Sequence, residues 1–157
     1  MEALPQTAKA SPRDIASAAA DLLDQGAVID RLSRPLTIAA VIGLIVGLGV
    51  ELGPLLVAGI LLVTLGGLFE TYLAMRTGFN AKLFRRLAEE NESGTPHVGR
   101  IDAALIELGL LAESKAGRTI EQRALGARRL LVLQGCALVL QIAVVLLATA
   151  LAQAHAG

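Results

Sequence analysis

One apolar stretch, residues 35–75, limits the folds open to this chain more than any other feature. It carries only two charged residues, Glu51 and Glu70. An α-helix rises about 1.5 Å per residue and the hydrocarbon core of a bilayer is about 30 Å thick, so one span needs about 20 apolar residues. The stretch is too long for one span, and it predicts a transmembrane hairpin of helices at residues 35–52 and 54–75.

The turn of this hairpin is predicted at Glu51-Leu52-Gly53-Pro54. The carboxylate of Glu51 favours water, and Gly53 gives the backbone conformational freedom. Pro54 suits the first position of the following helix.

A second apolar run, Leu130 to Leu151, has no charged residue and is long enough to cross a bilayer. Thr119, followed three residues later by Gln122, is a capping box that predicts a helix running into this run without a strong breaker. We therefore predict an all-α membrane protein with three transmembrane helices, a hairpin plus a third span, and residues 130–157 as the third span with a short tail.

The segment 1–34 is predicted to be cytoplasmic and to contain a short helix. Ser11 and Asp14 have the spacing of a capping box at its start. Its apolar face is predicted from the helical spacing of three residues, Ile15, Ala19 and Leu22, with Leu23 beside them. The polar face is acidic, which favours packing against protein over binding to an anionic lipid surface.

The segment 76–129 separates the hairpin from the third span and is predicted to be a cytoplasmic layer of helices. We expect helices at residues 79–90, 100–112 and 119–129, with a loop at 91–96. The first of these is expected to continue from the second span, with a bend near Thr77 and Gly78. The apolar residues expected to pack them together are Phe79, Leu83, Leu87, Ile101, Leu105 and Leu108.

The Lys and Arg residues predict the orientation. Four precede the first span, ten lie between the second and third spans, and the hairpin turn and the C-terminal tail have none. Cytoplasmic loops are enriched in these residues, which predicts a cytoplasmic N-terminus and a C-terminus on the other side. The first apolar run begins about 35 residues into the chain, which is not the layout of a cleavable signal peptide. We expect an integral protein of the bacterial inner membrane.

Sequence motifs of catalysis are lacking. The chain has no CxxC, HExxH, P-loop or GxSxG pattern, and its two histidines, His97 and His155, lie outside the predicted spans. We therefore expect no enzymatic activity, metal or cofactor. The formal net charge is zero, so no nucleic-acid partner is expected.

Two glutamines form the main polar feature of the third span. Gln134 and Gln141 are seven residues apart and so share one helix face, with Ala137 on or beside it. A glutamine side chain in hydrocarbon needs a hydrogen-bonding partner, so this stripe is predicted to face protein or water. It either packs against the chain's own hairpin, contacts a partner's helices or lines a polar pathway.

Three residues of the hairpin complete the candidate interface or pathway. Gly43 and Gly47 have the GxxxG spacing that permits close helix contact, although glycines are also common in membrane helices. Glu70 is interpreted as a solvated carboxylate at the depth of the lipid headgroups, near Tyr72. The alternatives are a proton or cation site, or an ion pair with another helix.

These features favour a non-catalytic membrane subunit, or an assembly or scaffold factor, of a larger membrane complex. The expected partners are membrane lipid and either other membrane protein subunits or further copies of the chain. The alternative is a small homo-oligomeric channel or transporter that uses the polar stripe of the third span. A membrane enzyme ranks last, because acid, base and metal ligands do not converge.

Overall fold

The computed structural model describes residues 10–50, 52–90 and 98–156, and this part of the chain is helical without a strand. This confirms the all-helical prediction. The helices are α1 (Pro12–Asp24), α2 (Gly26–Gly47), α3 (Pro54–Glu90), α4 (Val98–Glu107) and α5 (Ile120–Ala156), with a 3₁₀ turn at Glu113–Lys115. The predicted turn residue Glu51, the predicted loop 91–96 and His97 lie outside the described residues, as does the side chain of His155.

The start of α1 has the predicted capping box. The Asp14 backbone N–H donates to the Ser11 hydroxyl at 3.2 Å, and the Ser11 N–H donates back to the Asp14 carboxylate at 3.1 Å. The predicted apolar face is wrong by part of a turn, because Leu22 is 44% exposed. The buried face consists of Ala16, Ala19, Ala20 and Leu23. Small alanines let α1 lie closely against α3 and α5, so the predicted packing against protein is confirmed.

Helix α2 differs from the predicted first span at both ends. It begins at Gly26 rather than at residue 35, continues through Pro35, and ends at Gly47. Proline removes one backbone hydrogen bond, which a helix tolerates where neighbouring helices hold it in place. The polar first part, with Asp30, Arg31 and Arg34, therefore shares one helix with the apolar residues 35–47, which are fewer than the predicted span of 35–52.

Helices α3 and α5 are each longer than predicted for a span alone. The two predicted helices at 54–75 and 79–90 are joined in α3, which has 37 residues and runs through Thr77 and Gly78. α5 also has 37 residues, or about 55 Å, and runs without a break into the predicted third span. Its start has the predicted cap, since the Gln122 N–H donates to the Thr119 hydroxyl at 3.3 Å.

Helix α4 is shorter than the predicted helix at 100–112. It ends at Glu107, and Gly109 adopts a positive φ of 67°. The Leu110 N–H then bonds to the Leu105 carbonyl at 2.8 Å, the pattern of a glycine-terminated helix. The sequence signal for this ending was Gly109, which the apolar periodicity obscured.

The charged layer consists of α1, residues 76–90 of α3, α4 and residues 120–129 of α5. Its core contains buried side chains from α1, α3 and α5, including Leu23, Phe84, Leu87, Ile120 and Ala127. Of the predicted packing residues, Leu87 and Leu105 are buried, and Leu83 and Ile101 are partly buried. Phe79 and Leu108 are exposed, so their prediction as packing residues is wrong.

The apolar bundle consists of residues 35–47 of α2, 54–75 of α3 and 130–151 of α5. Within the described chain, α3 and α5 are long and apolar enough to cross a membrane. α2 is not apolar enough over the length of a span. Its first part carries Asp30, Arg31 and Arg34, and its apolar part, residues 35–47, is only about 20 Å long. Only 17% of the most apolar part of α3 and 22% of that of α5 is buried, so most of their apolar side chains face outward.

Candidate functional site

Six polar side chains of the apolar bundle and its boundary lie between the helices. We call this set the polar seam: Ser33 and Thr37 of α2, Glu70 and Thr77 of α3, and Gln134 and Gln141 of α5. Seven-residue and four-residue spacings place each pair on one helix face. All except Thr37, which is partly buried, are shielded from solvent.

Gln141 is the better satisfied of the two glutamines. Its amide nitrogen donates to the Val63 carbonyl at 3.1 Å and to the Thr37 hydroxyl at 3.2 Å, and its oxygen accepts from the Ser33 hydroxyl at 2.6 Å. Thr37 in turn donates to the Ser33 carbonyl at 3.0 Å. This network joins α5 to both helices of the hairpin.

Gln134 joins the same helices nearer the charged layer. Its amide nitrogen donates to the Gly26 carbonyl at 2.8 Å and to Glu70 Oε1 at 2.8 Å. Both amide hydrogens are thus used, and the Gly26 carbonyl fixes which end of the amide faces it. Of the alternatives for the glutamine stripe, the structure shows packing against the chain's own hairpin.

Glu70 is buried between the helices. It is 0% exposed, so its interpretation as a solvated carboxylate is wrong. Tyr72, in contrast, is exposed and accepts a 3.0 Å hydrogen bond from Arg76. Glu70 lies two residues earlier, on the inward face of α3. Hydropathy alone does not distinguish these two faces near the end of a span.

Three buried oxygens near Gln134 have no hydrogen-bond partner among the described residues. They are Glu70 Oε2, Thr77 Oγ1 and Gln134 Oε1. A fourth buried oxygen of this kind, Asp30 Oδ1, lies on α2, and the other oxygen of that carboxylate pairs with Arg34. Burial of an unpaired carboxylate is among the most costly arrangements in a protein interior. The polar seam therefore has a satisfied half around Gln141 and an unsatisfied half around Glu70.

Close helix approach depends on glycines other than the predicted pair. A Cβ on Gly67 would overlap the Thr37 side chain and lie 2.7 Å from the Gln141 amide nitrogen. A Cβ on Gly26 would lie 2.8 Å from Gln134 Oε1 and 2.8 Å from the Thr77 methyl group. Gly26 and Gly67 thus bring the polar groups together.

The predicted glycine and alanine positions have less demanding surroundings. A Cβ on Gly43 would meet Ile60 at an ordinary 3.7 Å, and one on Gly47 would meet only the movable side chain of Leu52. Ala137 is buried in the bundle at 9% exposure. Sequence analysis did not identify four residues of this region, Gly26, Ser33, Thr37 and Thr77. The pattern that could have indicated them is the recurrence of polar or small residues at helical spacing in and beside the apolar segments.

Another polar group ties the charged layer together. Asp102 of α4 accepts two hydrogen bonds from Arg123 of α5, at 2.6 and 2.8 Å, and one from the Gly117 N–H at 3.0 Å. Asp102 is 4% exposed. Because each of its oxygens is bonded, this pair is a structural tie between α4 and α5.

No cluster of three or more His, Cys, Asp or Glu side chains suited to a metal ion occurs in residues 10–50, 52–90 and 98–156. Comparison with protein-family models, curated proteins and solved structures finds no match. Any functional proposal therefore depends on the geometry of the polar seam and on the outer surface of the bundle.

Proposed function

We propose that the chain is an integral membrane protein that serves as a non-catalytic subunit, or as an assembly or scaffold factor, of a larger membrane complex. The observation that supports this best is the inverted polarity of the bundle. The polar seam lies inside, whereas large apolar residues such as Ile45, Leu65 and Leu147 are more than 60% exposed. Such an outer surface suits lipid or the helices of other membrane proteins.

In the proposed topology, α2, α3 and α5 each cross the membrane. The N-terminus and the charged layer face the cytoplasm of a bacterial cell, where Lys and Arg are favoured, and the C-terminus faces the other side. The apolar half of α2 reaches only about 20 Å. The exposed, uncharged residues Leu48 and Val50 after it supply further apolar length. Asp30 and Arg34, paired at 2.6 Å, then lie at the cytoplasmic boundary.

The charged layer is the proposed docking platform for a partner's cytoplasmic segment. Its core is packed within the chain, and large apolar side chains remain on its outside. Leu108 and Leu110 are 70% and 60% exposed at the turn after α4. Exposed leucines beside charged residues suit contact with another protein.

The alternative, a homo-oligomeric channel or transporter lined by the glutamine stripe, has weaker support. Gln134 and Gln141 are 0% and 1% exposed and bond to α2 and α3. To line a pathway they would have to exchange these bonds for water or a permeating ion. This alternative is retained as an outcome of the experiment.

Mild-detergent purification of the full chain from its native membrane, with identification of co-purifying proteins, tests the proposal. A stable heteromeric complex is the expected result. A homo-oligomer without other subunits that leaks ions from liposomes would contradict it and support the channel.

Site-specific crosslinking locates the contact surface. Val139 is 66% exposed on α5, whereas Ala137 is 9% exposed. In a Cys136→Ser background, Val139→Cys is expected to crosslink to a partner subunit and Ala137→Cys to fail. Stronger crosslinking from Ala137→Cys would mean that the bundle opens in the complex.

A further inference from the structure

We propose that the unsatisfied half of the polar seam binds a small monovalent cation, of the size of Na⁺. The ligands are Glu70 Oε2, Thr77 Oγ1 and Gln134 Oε1. This inference is independent of the proposed role as a subunit, because it depends only on side chains buried within one chain.

The side chains of the proposed site are buried. Glu70, Thr77 and Gln134 are each 0% exposed, and each has one oxygen without a hydrogen-bond partner among the described residues. An oxygen shielded from water needs a donor or a cation. Three such atoms on side chains of adjoining helices point to one shared occupant.

The side chains that carry the three oxygens lie close together. Gln134 contacts Glu70 directly, with 2.8 Å between its amide nitrogen and Oε1. Gln134 Oε1 and the Thr77 methyl group both lie 2.8 Å from the point where a side chain on Gly26 would begin. Gly26 thus allows α2 to approach while leaving Gln134 and Thr77 beside each other.

The charge of Glu70 suits a monovalent cation. Glu70 forms no ion pair in the described chain, in contrast to Asp30, Asp24 and Asp102, each of which pairs with an arginine. A monovalent cation would neutralise one carboxylate, whereas a divalent ion would leave an excess positive charge in an apolar bundle.

Three oxygens from two helices suit a metal cation, which accepts them all at once, whereas a proton on Glu70 bonds one neighbouring oxygen directly. A protonated Glu70 with the Thr77 hydroxyl as a second donor is the competing arrangement, and the experiment below distinguishes the two. A sodium-sized ion can accept several oxygen ligands at once. The Gly26 carbonyl, one residue after the junction of α1 and α2 at Gln25, accepts the Gln134 amide and is not among the proposed ligands.

The site would couple cation binding to the packing of the helices. Its ligands come from α3 and α5, and Gln134 also holds the Gly26 carbonyl at the start of α2. A ligand that binds the folded state alone raises the stability of that state as its concentration increases. Sodium is therefore expected to stabilise the bundle.

The test uses the purified full chain in detergent, with thermal unfolding followed at constant ionic strength as NaCl replaces choline chloride. The expected result is a saturable rise in the unfolding midpoint with Na⁺, together with saturable ²²Na⁺ binding. Equal midpoints in the two salts and no ²²Na⁺ binding would overturn the proposal, in favour of a protonated Glu70 or a buried water.

Two matched substitutions in α3 assign the site. Thr77→Val removes one proposed ligand and is expected to weaken the Na⁺ response about tenfold, the effect of losing one good hydrogen-bond-like contact. Thr64→Val is the control, because the Thr64 hydroxyl donates to its own helix at the Ile60 carbonyl. Equal Na⁺ responses in both variants would contradict the assignment.

Glu70→Gln is expected to abolish both the Na⁺-dependent stabilisation and ²²Na⁺ binding. An unchanged Na⁺ response in this variant would overturn the proposal. If Glu70→Gln does not accumulate as folded protein, ²²Na⁺ binding to Thr77→Val and Thr64→Val decides the question.

Discussion

At the residue scale, Gln141 shows how a polar side chain can be buried in an apolar bundle. Every hydrogen-bonding group of its amide has a partner, on α2 or on α3. A bonded amide of this kind contributes modestly to membrane protein stability, about 0.6 kcal/mol on average and up to about 2. Its larger effect is to fix the rotation and depth of α5 against the hairpin.

Replacement of Gln141 by leucine is expected to lower the free energy of unfolding by about 1–2 kcal/mol. The change leaves the Val63 carbonyl and the Ser33 hydroxyl without their present partner. Gln153→Leu is the matched control, because Gln153 is exposed near the end of the same helix. Unfolding in mixed detergent measures the free energy of unfolding of both variants. Equal stability of the two variants would show that the network is not formed.

Replacement of Gly67 by alanine is expected to destabilise the bundle by about 1–3 kcal/mol, because the new Cβ would overlap Thr37. Gly78 lies on the same helix, and a Cβ added there would have no neighbouring atom within 4 Å. Gly78→Ala is therefore expected to be neutral or to stabilise by up to about 1 kcal/mol, through helix propensity. A loss of stability in Gly78→Ala but not in Gly67→Ala would contradict the close contact between Gly67 and Thr37.

The sequence predicted which glutamines share a face but not what they contact. Helical periodicity fixes the face of Gln134 and Gln141 because it is a property of one helix. Their partners depend on the rotation and register of α2 and α3, which no local pattern encodes. For the same reason the sequence does not distinguish Glu70, which is buried, from Tyr72 two residues later, which is exposed.

At the element scale, local capping signals predicted helix ends better than hydropathy did. The capping residues Ser11 and Thr119 mark the starts of α1 and α5 correctly. The change from charged to apolar residues near Pro35 marks no helix end, because α2 continues through it. A composition boundary reports where the environment of a helix changes, whereas a helix ends where its backbone groups find other partners.

The tie between α4 and α5 is expected to stabilise the charged layer. Asp102→Ala leaves Arg123 and the Gly117 N–H without their carboxylate, at a cost of about 2–3 kcal/mol. Asp24→Ala removes an exposed pair with Arg85 and is expected to cost less than about 1 kcal/mol. The rate of limited proteolysis near α4 and the thermal unfolding midpoint are compared between Asp102→Ala and Asp24→Ala. Equal cleavage rates and equal midpoints would contradict the structural role of Asp102.

The capping box of α1 gives a pH-dependent prediction. The Ser11 hydroxyl and its backbone N–H hold the pKa of Asp14 below the usual 3.8, with a smaller contribution from Arg13. Since the folded pKa is lowered, this contribution to stability is present above about pH 4 and is lost as the pH falls through the folded pKa.

Ser11→Ala removes the hydroxyl and is expected to raise the pKa of Asp14 toward 3.8. Ser17→Ala, on an exposed position of the same helix, is the control. An NMR titration measures the pKa of the Asp14 carboxyl in both variants. An unchanged pKa in Ser11→Ala would mean that the capping box does not form.

At the scale of the whole molecule, the arrangement separates two environments along the same helices. The bundle turns the polar seam inward and most large apolar groups outward. The charged layer buries alanine, leucine and phenylalanine and exposes its charged side chains, except for the pair Asp102 and Arg123. This reversal along α3 and α5 is expected where one helix passes from lipid into water. It underlies the proposed membrane topology.

Single-cysteine labelling in spheroplasts tests this topology most directly. In a Cys136→Ser background, cysteines replace Leu52, Lys115 and Ala154, which are at the hairpin turn, in the charged layer and near the C-terminus. A membrane-impermeant maleimide is predicted to label the variants at Leu52 and Ala154 in intact spheroplasts, and the variant at Lys115 only after the membrane is permeabilised. Labelling of Ala154→Cys only after permeabilisation would place the C-terminus in the cytoplasm and contradict the three-span account.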